Sequence, residues 1–75
     1  MSKFSIYLKN LIEDSGESIS FIALSIEAER TSIHKALTDE RILSYKVVQA
    51  LARHFNLPVD KKKEFFRLYD ILLQG

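Results

Sequence analysis

Apolar residues recur along this chain at steps of three and four, the period that stacks side chains on one face of a helix. Phe4, Tyr7, Leu8, Leu11 and Ile12 form the first such set and predict a helix from Lys3 to about Ser15, stopped by Gly16 in a left-handed conformation. Ser18 stands where an N-cap belongs, and Ile19, Ile22, Ala23 and Ile26 predict a second helix of about two turns. After a short break at Glu27, Ala28 and Glu29, the positions Ile33, Ala36 and Leu37 predict a third, from about Arg30 to Thr38. So short a turn forces the third helix to cross the second steeply.

Asp39 to Leu43 reads as a loop, and Ser44 caps a fourth helix whose inner face is Val47, Val48, Leu51, Ala52 and Phe55. Asn56 and Pro58 end it, the first as a left-handed cap and the second because proline cannot continue a helix. Asp60 opens the last helix with charge favourable to its N-terminus, and Phe65, Leu68, Tyr69 and Leu72 form its inward stripe. Phe66, Ile71 and Leu73 lie off that stripe, which widens the apolar band and predicts a second contact surface. The reading is all-α: five short helices in a single domain over residues 1–75, without repeats or linkers.

Composition narrows the class. Of 75 residues, 47% are hydrophobic and only three are glycine or proline, so the chain folds instead of remaining disordered. It has no cysteine, which leaves packing to stabilise a small core and weakly favours a cytoplasmic location. The opening residues lack the apolar run of a secretory signal, and nothing approaches the roughly 20 apolar residues of a membrane span. Net charge is only +1, but it is unevenly spread. Residues 1–40 carry four basic and seven acidic groups, and the rest carry seven basic and three acidic. If DNA is the partner, the acidic first helix faces away from it.

Catalysis has little footing: there is no glycine-rich phosphate loop and no nucleophile beside a base, so an enzyme is not expected. His34 and His54 lack the companions of a metal set, so neither a metal nor a cofactor is expected. His54 reads as a favourable charge near the end of the fourth helix, and the Lys61, Lys62, Lys63 run as a solvated face.

Residues 19–38, ISFIALSIEAERTSIHKALT, resemble the helix-turn-helix of the lambda repressor-like regulators, the Cro or XRE family. Ala23 matches the family's small residue where the recognition helix packs closely. Ile22, Ile26 and Ile33 match its flanking apolar positions, and Ala28 fits after the turn. There are departures. Glu27 stands where the family often has glycine, and a left-handed conformation there costs roughly 1 kcal/mol. Glu29 stands where the family tends to have serine or threonine, and its carboxylate is expected to turn aside and cap the third helix. Leu37, Thr38 and Asp39 replace a frequent glutamate, asparagine and glycine.

The resemblance implies a sequence-specific DNA-binding domain of a bacterial or phage-type transcriptional regulator, with the third helix in the major groove of double-stranded DNA. Arg30, Thr31, Ser32, His34 and Lys35 are then the candidates for base contacts. Ser20, Thr38, Arg41, Ser44, Tyr45 and Lys46 are the candidates for phosphates. A homodimer through the apolar fifth helix, or through chain beyond Gly75, would set half-sites about 10 bp apart. The apolar finish Ile71, Leu72, Leu73 leans towards such a continuation. The alternative is a protein-interaction module on the same scaffold, favoured by Glu29 and the acidic first half.

Overall fold

The computed structural model describes residues 1–75. Five helices follow in order: α1 (Lys3–Ser15), α2 (Ile19–Ser25), α3 (Arg30–Leu37), α4 (Tyr45–His54) and α5 (Val59–Gln74). No strand is present, and no helix is long and apolar enough to cross a membrane. The domain measures 29 × 28 × 20 Å.

Three of the helices begin on serine. The Oγ atoms of Ser2, Ser18 and Ser44 accept hydrogen bonds from the amides of Ser5, Phe21 and Val47, each satisfying one of the donors a helix start leaves free. Ser2 was not among the expected caps. α5 departs from expectation by one residue: it starts at Val59 behind Pro58, and Asp60 sits inside its first turn. Thr38 is the C-cap of α3 and not part of the helix. Glu29 corrects an expectation, because it occupies the N-cap of α3 with no side-chain hydrogen bond.

Three helices end in the same way. Glu27, Asp39 and Asn56 have φ of 57°, 60° and 51°, the left-handed region in which a Cβ crowds the carbonyl. Behind each, the same two hydrogen bonds recur. After α2, the Glu27 amide donates to the Leu24 carbonyl and the Ala28 amide to the Ala23 carbonyl. After α3 the pairs are Asp39 to Ala36 and Glu40 to Lys35, and after α4 they are Asn56 to Arg53 and Leu57 to Ala52. This is the Schellman closure, usually made by glycine and here made three times without one. α1 ends on a left-handed glycine, Gly16 at φ 70°.

The core joins all five helices. Phe4, Leu8, Ile12, Ile22, Ile33, Val48, Leu51 and Phe65 are at most 8% exposed. α1 packs against both α3 and α5, α2 against α3, and α4 against α5. Phe4 stacks on Phe65 with ring centroids 5.2 Å apart, and Tyr69 leans on Phe4 at 5.5 Å. Leu43, in the loop before α4, is also buried, and its carbonyl accepts from the Tyr69 hydroxyl. Burial pushes the Tyr69 phenol above its ordinary range, with the Asp70 carboxylate adding to the shift. Of the residues off the inward stripe of α5, Phe66 packs partly against the core, whereas Ile71 and Leu73 remain about half exposed.

Candidate nucleic-acid interface

α3 is held from beneath and open above. Ile33 and Ala36 are buried, and Leu37 packs partly against the core. Ala23 of α2, also buried, has no side chain beyond Cβ to hold the two helices apart. The connection between α2 and α3 is four residues, Ile26 to Glu29, and the left-handed turn at Glu27 reverses the chain inside it.

With that face turned inward, helical geometry turns the other outward. Arg30, Thr31 and His34 are exposed and Lys35 is half-buried, spaced so that they share one side of the helix. Ser32 is half-buried and accepts a hydrogen bond from the Arg41 guanidinium at 2.9 Å. That bond carries a cation from the loop to the middle of α3. Near the helix start, the Arg30 guanidinium lies 3.4 Å from the Ser20 hydroxyl of α2. Two cations are thereby joined to serines within one surface that spans α2, α3 and the following loop.

The other candidates are arranged differently. The Thr38 hydroxyl points into its own turn, at 2.6 Å from the Glu40 carboxylate and 3.2 Å from the Lys35 carbonyl, so its proton has a partner within the chain. Ser44, Tyr45 and Lys46 are exposed at the start of α4, and no hydrogen bond links them to α3. The Tyr45 ring packs towards α5, 5.6 Å from Phe66. Acidic side chains also border the surface: Glu27 and Glu29 before α3 and Glu40 after it are all exposed.

Asp39 is the residue whose role the sequence reading missed. Its carboxylate accepts from the Ser2 amide at 2.6 Å and the Ser2 hydroxyl at 2.7 Å, with Ser5 further off at 3.4 Å. These hydrogen bonds hold its pKa below the ordinary aspartate range, the Ser2 side chain contributing most. The end of α3 is thereby tied to the start of α1. The available signal was the tolerance of aspartate for left-handed turns. His54 stands in the last turn of α4 as expected, and its Nε2 also lies 2.6 Å from the Glu17 carboxylate, a contact the sequence did not announce that joins α4 to the α1–α2 connection. No group of three metal-ligating side chains comes together anywhere in the fold.

No known protein-family model, curated protein or solved structure matches this chain.

Proposed function

We propose that this chain is a sequence-specific double-stranded DNA-binding domain of the lambda repressor-like kind, and that it serves a transcriptional regulator. The observation that carries the reading is the closure of α2 and α3. Both end in left-handed residues, Glu27 and Asp39, at the two positions where the resemblance puts glycine. A helix-turn-helix needs the reversal at Glu27 to bring its second helix across the first, and the one at Asp39 turns the chain away from the end of that second helix.

In this reading α3 enters the major groove with Arg30, Thr31, Ser32, His34 and Lys35 towards base edges. Arg30 and Lys35 donate to guanine O6 and N7, and Thr31 meets a thymine methyl. Ser32 is already paired with Arg41, so it acts by steering that guanidinium. Arg41, Ser20, Ser44, Tyr45 and Lys46 meet phosphates and fix the register. Thr38 joins them only if its hydroxyl leaves Glu40. Exposed Ile71 and Leu73 on α5 supply the apolar surface for a two-fold partner.

A protein-interaction module is the second reading, and one observation favours it. Phe21 and Leu24 on α2 are 51% and 79% exposed, an apolar surface that DNA has no use for. Selection from randomised duplexes with the purified chain separates the two. A DNA reader enriches a two-fold site with half-sites about 10 bp apart. Recovery of unenriched sequence would remove the DNA reading and leave the interaction module.

A further inference from the structure

A second surface, distinct from the outward side of α3, lies between α4 and α5. Tyr45, Gln49 and Arg53 line one wall and Lys62 and Phe66 the other, around a groove of about 230 Å³. Beside it on α5, sharing Lys62 and Phe66, lies a wider, open hollow whose remaining lining is Val59, Lys63, Arg67 and Asp70. The helical period explains the lining: Gln49 and Arg53 are four residues apart on α4, as are Lys62 and Phe66 on α5.

The cations here are free. The molecule holds two ion pairs, His54 with Glu17 and Arg67 with Glu64, so Arg53, Lys62 and Lys63 have no carboxylate within 4 Å. The Tyr45 hydroxyl makes no hydrogen bond within the chain, although the side chain is 54% exposed. Three unpaired cations therefore surround two tilted aromatic rings, with a hydrophobic hollow alongside.

We propose that this groove binds an acidic peptide segment of a partner protein, one that places carboxylates on Arg53 and Lys62 and a large apolar side chain against Phe66 and Val59. Charge complementarity supports an anionic occupant. One feature favours peptide over nucleic acid: the surface of the hollow is mainly apolar, through Val59, Phe66 and the stems of the basic side chains, which suits a Leu or Phe side chain and not a phosphodiester. The proposal does not depend on what α3 binds, and of the groove's lining only Tyr45 also stands among the proposed phosphate contacts.

The test uses the full chain and fluorescein-labelled 12-residue peptides in which one Phe or Leu is flanked by Asp and Glu, with binding followed by fluorescence anisotropy and amide chemical shifts. Saturable binding is expected, with shifts at Gln49, Arg53, Lys62 and Phe66. Arg53→Glu and Lys62→Glu, both at exposed positions, should each weaken it at least tenfold while circular dichroism stays unchanged. Lys35→Ala should leave it unaltered, which keeps this outcome separate from any outcome on α3. Replacing the peptide's Phe or Leu by Ser should also weaken binding at least tenfold. Absence of binding, binding by the charge-reversed variants as tight as by the parent, or an oligothymidylate that binds more tightly than the peptide and shifts the same amides would each overturn the proposal.

Discussion

Replacing Glu27 by glycine should make this domain more stable, although the substitution removes a side chain and creates no contact. Glu27 sits at φ 57°, where an L-residue bears about 1 to 2 kcal/mol of steric cost. Glycine relieves that cost but enlarges the unfolded ensemble, which returns about 0.5 to 1 kcal/mol. Taking the middle of each range, the net gain is about 0.75 kcal/mol. In a domain of this size that raises Tm by roughly 3 to 6 °C. Glu27→Ala is the necessary control, because it removes the same charge and keeps the Cβ, so its Tm should stay close to that of the parent. Asn56→Gly should gain less than Glu27→Gly, since asparagine tolerates the left-handed region better. Asp39→Gly should gain nothing, since it also breaks the bonds to Ser2. The assay is thermal unfolding by circular dichroism, with coincidence of two probes to establish two-state behaviour. Equal Tm for Glu27→Gly and Glu27→Ala would refute the reasoning and with it the left-handed closure of α2.

Two further outcomes test other joints of the fold. Tyr69→Phe leaves the buried Leu43 carbonyl without its donor and should cost about 1 to 3 kcal/mol, read as a lower urea midpoint at unchanged slope. Asp39→Ala should lower Tm at neutral pH, and the gap between it and the parent should close under acid. The folded pKa of Asp39 is depressed, so its contribution is complete above the unfolded value near 4 and is lost as pH falls through the folded value. A gap independent of pH would mean that the carboxylate charge plays no part in tying α3 to α1.

Much of the fold was legible in the chain because its signals are local. The three- and four-residue recurrence located all five helices, and Ser18 and Ser44 marked two starts correctly. Most of what was missed depends on residues far apart, and one local expectation also failed. Glu29 lacks the capping bond expected of it. Ser2 caps α1 and holds Asp39, a pairing across 37 residues that no periodicity announces. His54 meets Glu17 across a similar span. Leu43 looked like ordinary loop, yet the packing of Tyr69 draws it inside. The outward set on α3 followed from the inward positions of Ile33 and Ala36. The hydrogen bond between Arg41 and Ser32 did not, because it needed the path of the loop.

The most direct test of the proposed function is the salt dependence of binding to a selected duplex, measured by anisotropy for the parent chain and for Lys35→Ala, Arg41→Ala and Lys61→Ala. The parent's log K should fall linearly with log salt. Arg41→Ala should flatten that slope by about 1 as one phosphate contact is lost. Lys35→Ala should weaken the selected duplex by about 1 to 3 kcal/mol more than a scrambled one. Lys61→Ala, on the first turn of α5, should change neither. Salt-independent binding, or a loss of affinity as large for Lys61→Ala as for Lys35→Ala, would contradict the placement of α3 in the major groove.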